Sequence, residues 1–103
     1  MILTTTQSIE GKEIAEYLGL VTGTDIYLVG GFLGGGLSNQ EKLFSTAYKS
    51  ACSKLSDKAS ALGADSVVGI NVTVSSPGTT GHIIVTVTGT AVSTSVRDEI
   101  PEI

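Results

Sequence analysis

SNQEKLFSTAYKSACSKLSDKASALG, residues 38–63, is the stretch whose apolar residues recur most clearly at helical spacing. Phe44, Ala47/Tyr48, Ala51, Leu55, Ala59 and Leu62 step by three and four and form one stripe. Lys42, Lys49, Ser53, Lys54, Ser56, Asp57 and Ser60 fill the remaining positions. Ser38 and Glu41 fit a capping box, in which each side chain satisfies an orphan N–H of the first turn. Gly63 suits the left-handed residue that ends a helix. The spacing predicts one helix over 38–62.

Strands surround this helix. After it, Val68, Ile70, Val72 and Val74 alternate with Gly69, Asn71, Thr73 and Ser75. Ser76 to Gly81 reads as a turn. From His82 to Val92, Ile83, Val85, Val87, Gly89 and Ala91 alternate with Ile84, Thr86, Thr88 and Thr90. This is a hairpin with an apolar face for the helix and a threonine-rich face suited to a neighbouring subunit. Before the helix, residues 2–6 predict a short strand. Residues 12–22 also separate into two strand faces, Ile14, Glu16, Leu18 and Leu20 against Ala15, Tyr17, Gly19 and Val21, although Lys12 to Leu18 is compatible with a helix start. Tyr17, Val21 and Thr22 favour a strand over about 14–22. Gly23-Thr24-Asp25 reads as a turn, with the strand resuming at Ile26 to Val29 after a kink. Gly30 to Gly36 holds five glycines in seven positions and reads as a mobile connector. The expected fold is α+β: a small antiparallel sheet with one long helix packed on one face. It forms a single domain over 1–93, followed by an acidic, poorly ordered tail over 94–103.

Composition narrows the function. The chain has 103 residues, the size of one domain. Six basic and ten acidic side chains leave a net charge of −4, so no Lys/Arg face is available for nucleic acid. With 41% hydrophobic and 16% charged residues, the chain is too apolar for intrinsic disorder. No run approaches the ~18 apolar residues of a membrane span. The lone Cys52 excludes an intramolecular disulfide, and with no basic, apolar leader it points to the cytosol. A domain this small, with three Tyr, two Phe and no Trp, has a thin core. Self-association is the expected remedy.

Several blocks carry a family resemblance: Met1-Ile2-Leu3-Thr4-Thr5-Thr6, Ile9-Glu10-Gly11, Glu16 to Gly23, Leu62 to Ile70, and Val87-Thr88-Gly89-Thr90-Ala91-Val92. In this order, over 1–92, the chain resembles the YbjQ-like family of small bacterial proteins labelled heavy-metal-binding. The resemblance implies a dodecin-like α+β subunit assembled as a ring, commonly a pentamer, and it implies no particular reaction. The family pattern has an arginine-containing, glycine-rich segment before a charged helix. This chain has Gly30 to Gly36 without arginine and a serine-rich helix, so a site built on that arginine does not carry over.

The chemistry-bearing residues are few. A soft-metal site needs three or four sulfur or nitrogen donors, and the chain offers Cys52, His82 and Met1, one of each. A metal would need donors shared between subunits. Cys52, beside the apolar stripe, also reads as a small core hydrophobe. The glycine run matches neither phosphate-binding spacing, and no lysine follows until Lys42. Cys52 with His82 is a conceivable nucleophile and base, but the serines lack a G-x-S-x-G elbow. Glu13 with Glu16 and Asp98 with Glu99 have no apolar setting to raise a pKa, and Asp65 suits the turn after the helix. The residues therefore predict a non-enzymatic homo-oligomer without a cofactor, presenting a small-ligand or protein-interaction surface at its subunit clefts. Tyr17, Phe32 and Tyr48 are the candidate ligand contacts. The alternative is a metal-binding protein that uses Cys52 or His82.

Overall fold

A computed structural model describes residues 1–28, 37–76 and 81–96, with backbone only at 37–40. Its elements are β1 (Ile2–Leu3), β2 (Lys12–Leu28), α1 (Leu37–Ala61), β3 (Ser66–Ser75) and β4 (His82–Val96). The helix lies within one residue of its expected bounds. It ends as the sequence requires. Gly63 has φ 84°, its N–H donates to the Ser60 carbonyl at 2.9 Å, and the Ala64 N–H donates to the Ala59 carbonyl at 3.0 Å. These are the two bonds of a Schellman cap. Ser38 of the expected capping box lies outside the described side chains.

The sheet order is β1-β3-β4-β2. Strand β4 pairs antiparallel with both β2 and β3, and the two-residue β1 adds parallel to β3. One helix thus covers one face of a curled sheet, as the α+β reading expected, and the parallel β1 makes that sheet mixed where an antiparallel one was expected. The core joins Ala47, Ala51, Leu55 and Ala59 of α1 to Val21, Val67, Ile70, Val85, Val87 and Ala91 of the strands. Leu62 and Tyr48, at the margins of the helical stripe, are half-exposed. The buried seam is therefore narrow, with one leucine among three alanines.

That seam explains the first correction. Gly23-Thr24-Asp25 is no turn, because β2 runs unbroken through it for 17 residues. Glycine stands there because helix and strand backbones nearly touch. A Cβ at Gly23 would overlap the Ala51 carbonyl oxygen and lie 2.8 Å from the Leu55 nitrogen.

Two further corrections concern faces. Register slips fall between Ile14 and Glu16 and between Tyr17 and Gly19, so the two expected faces of 12–22 do not persist. Leu18 packs on the core and Val21 joins it, while Leu20 is 78% exposed. In β3 a bulge between Val68 and Asn71, with Gly69 at φ 62°, resets the alternation. Val67, Ile70 and Val72 meet the helix-side core, Val68 is buried beside Thr90 on the other face, and Val74 is exposed. The N-terminal arm pins this bulge. Only Ile2 and Leu3 are regular strand where 2–6 was expected, yet the Thr6 carbonyl accepts from the Gly69 N–H at 2.8 Å and the Thr4 carbonyl from the Ile70 N–H at 3.0 Å.

Strand β4 continues to Val96, past its expected end at Val92. Asp65 secures that extension. Its carboxylate accepts from the Thr94 N–H at 3.0 Å, the Thr94 hydroxyl at 2.9 Å and the Ser66 hydroxyl at 2.9 Å. Its own N–H donates to the Val92 carbonyl, and its carbonyl accepts from the Ile2 N–H, both at 3.1 Å. The Thr94 amide above all, with the two hydroxyls and the charge of Lys12, holds this carboxyl below the ordinary 3.8, against the opposing effect of burial. The Gly30–Gly36 connector, residues 77–80 of the expected turn and residues 97–103 of the expected tail lie outside the described residues.

Two outcomes follow from these contacts. Gly23→Ala will destabilise the fold by about 2 kcal/mol, because the backbones must separate. Its Tm will fall on the order of 10 °C, and an unchanged Tm would refute the close approach. Asp65→Ala will cost about 1–2 kcal/mol near neutrality through its lost hydrogen bonds. A carboxyl whose folded pKa is lowered stabilises above its unfolded pKa and loses that contribution as pH falls through the folded value. Urea titrations should therefore show wild type and Asp65→Ala converging in acid, and a constant gap would exclude this linkage.

Candidate functional site

The sequence candidates occupy separate places. Cys52 lies on the flank of α1, partly buried against the core. Tyr48, one turn earlier, stacks on Phe44 with ring centroids 6.1 Å apart and 19° between planes. The Cys52 sulfur pushes the Tyr48 phenol above its ordinary range, chiefly by its charge, then through their hydrogen bond, with burial adding to both. The pair is therefore a local helix contact at i and i+4. His82 opens β4 opposite Leu28 and is exposed. The alternation that turns Val85 and Val87 toward the helix puts His82 in register with the opposite face. Cys52 and His82 thus do not form a nucleophile–base pair within one chain. Among the described residues, no three His, Cys, Asp or Glu side chains gather where they could hold a metal ion.

Tyr17 is 69% exposed, in β2 opposite Val92. It precedes Gly23 by six residues, roughly 20 Å along a strand, whereas Tyr48 lies one turn beyond the Gly23 contact in the other direction. One chain therefore does not bring Tyr17 and Tyr48 together. Phe32 lies outside the described residues.

Three surfaces lie apart from these candidate residues. The first is the sheet face opposite the helix. Leu20, Thr22, Thr24, Ile26 and Leu28 of β2 lie in register with Thr90, Thr88, Thr86, Ile84 and His82 of β4. No Asp, Glu, Lys or Arg stands at these positions. Leu20, Ile26 and Leu28 are 78%, 55% and 54% exposed. The threonine-rich half of this face was legible as the polar phase of β4. Its apolar half was not, because Gly23-Thr24-Asp25 read as a turn and separated Leu20 from Ile26.

The second surface is an open depression of about 510 Å³, lined by Ile2, Thr4, Thr6, Ser8, Ile9 and Glu10. Its threonine hydroxyls are engaged locally. Thr4 and Thr6 share a hydrogen bond of 2.8 Å, and the Thr6 hydroxyl donates to the Ser8 carbonyl at 2.6 Å.

The third is the outer edge of β2. The Lys58 ammonium donates to the Thr22 carbonyl at 2.8 Å, and the Lys54 ammonium donates to the Thr24 carbonyl at 3.0 Å. Lys54 also lies 3.7 Å from the Asp25 carboxylate. That carboxylate accepts from the Ile26 N–H at 2.9 Å. The Ile26 amide first, then Ser50 and Lys54, hold the Asp25 carboxyl below its ordinary range, against the opposing effect of burial. Among the described residues, no helix is long and apolar enough to cross a membrane.

Comparison with known proteins agrees with this architecture. The profile of the YbjQ family, described as "Putative heavy-metal-binding", matches residues 1–95. A UPF0145 protein of Pseudomonas fluorescens strain Pf0-1 is 36% identical over 103 residues, spanning 89% of this chain and 97% of that one. A UPF0145 protein of Synechococcus sp. (strain JA-2-3B'a(2-13)) is 32% identical over 102 residues, with the same coverage. The crystal structure of a DUF74-family protein of unknown function from Pediococcus pentosaceus ATCC 25745 superposes with a TM-score of 0.70. It is 20% identical and covers 92% of this chain and 98% of its own, a likeness of fold alone. On a profile match that spans every described element but the last residue of β4, and on relatives above 30% identity across most of the chain, this protein belongs to the YbjQ family.

Proposed function

We propose that this chain is a non-catalytic, self-associating module, a ring of about five copies, which takes a small ligand or a protein partner at its subunit boundaries. The exposed face opposite the helix carries this reading. Leu20, Ile26 and Leu28 stand exposed on it beside a threonine row without charged side chains. Apolar patches beyond a few hundred Å² on a small protein mark interaction sites. The shape agrees, since a radius of gyration of 17.5 Å exceeds the ~13 Å of a compact domain of this length. A second copy would supply the core that a narrow alanine seam cannot. Tyr17 and Tyr48, separate within one chain, become available to a shared cleft once copies adjoin.

A second reading takes the family description at its word. Cys52 and His82 supply one soft donor each, so a metal would need donors from more than one copy.

Native mass spectrometry of protein purified without chelator or metal resin tests both readings. The expected species is a multiple of 10.5 kDa, close to five copies. Leu20→Glu with Ile26→Glu should reduce it to the single-chain mass while circular dichroism keeps the folded signal. A wild-type monomer would overturn the assembly reading. A bound metal mass that disappears in Cys52→Ser or His82→Ala would put the metal reading in its place.

A further inference from the structure

Strand β2 is 17 residues long against a usual 5–6, and it lies at the edge of the sheet. Its apolar residues Ile26 and Leu28 are more than half exposed, and Ile26-Tyr27-Leu28-Val29 is uncharged with high β-propensity. A long edge strand with an exposed apolar end is a template for another chain's strand. In an antiparallel pair, alternate residues of the edge strand turn both backbone groups away from their partner. Thr22, Thr24 and Ile26 are such a set, and side chains occupy a backbone group of each. Lys58 takes the Thr22 carbonyl, Lys54 takes the Thr24 carbonyl, and Asp25 takes the Ile26 N–H. The lysines sit four residues apart on α1, so one helical face presents both. A four-carbon stem is long enough to reach round the strand from the helix.

We propose that Lys54 and Lys58 are a guard that α1 carries over the edge of β2, closing Thr22 to Ile26 against strand addition by a second copy of this chain. The guard concerns the strand's edge and not the face through which copies are proposed to associate. It holds whether the wild-type chain is a ring or a monomer, so its failure is distinguishable from failure of that reading.

The test is Lys54→Met with Lys58→Met, which keeps most of each stem and removes the donors. The double change makes the net charge of −4 more negative by two, which by charge alone should improve solubility. Opening the edge should do the opposite. Relative to wild type, the folded Met pair should show a several-fold rise in thioflavin fluorescence and sedimentable mass on incubation. Lys54→Arg with Lys58→Arg keeps the donors and should match wild type, as should Lys49→Met, which removes a helix charge elsewhere. Thr24→Pro in the Met pair removes an outward-facing N–H without costing a ladder bond, and should suppress the added assembly. A folded Met pair with the wild-type size distribution would overturn the proposal, as would an Arg pair that aggregates. A Met pair that no longer folds would also overturn it, because the lysines would then hold the fold and not its edge.

Discussion

The rest of the structure depends on the near-contact between the backbone of α1 at Ala51–Leu55 and that of β2 at Gly23. Two backbones come this close only where neither places a side chain between them. The sequence meets that condition with alanines at 47, 51 and 59 on one side and glycine on the other. The short separation brings Lys54 and Lys58 within reach of the strand's far edge. Strand alternation turns Leu20, Ile26 and Leu28 to the sheet face opposite this contact, so they stay outside the core. A thin core and a closed edge share this one origin.

Much of this was legible in the sequence. The helix was, because an i, i+4 stripe ended by a glycine allows few other readings. The threonine phase of β4 was, because the alternation of threonines with small or apolar residues from Val85 to Ala91 has no helical interpretation. The rest was hidden for one reason: glycine plays several roles that composition does not separate. Gly63 ends a helix, Gly23 admits a helix, and Gly69 makes a bulge that exchanges the faces of β3. Only the first is visible without knowing what packs above. Gly23 followed by Thr24 and Asp25 has the composition of a turn, and tertiary contact overrides it. The register slips around Tyr17 are equally silent, since a one-residue slip leaves composition unchanged.

The candidate site divides similarly. Cys52 beside the apolar stripe was readable as a packing residue, and its partial burial against the core agrees. Its hydrogen bond to Tyr48 follows from i, i+4 spacing, although the shifted phenol was not foreseen. Asp65 was read as serving a turn. It also ties the end of β4 and the start of β1 to one carboxylate and its backbone, contacts far apart in sequence that a local reading does not see.

Strand order also dictates when the sheet can be completed. The described strand β2, which comes early, has its sheet partner only in β4, with Lys12 opposite Val96 across most of the chain. Helix α1, β3 and β4 are joined by nearer contacts, and loop-closure entropy favours those first. During synthesis, β2 therefore leaves the ribosome with its pairing partner still untranslated. Its apolar stretch must remain unpaired until β4 emerges, which makes this the interval in which the nascent protein has most need of a chaperone.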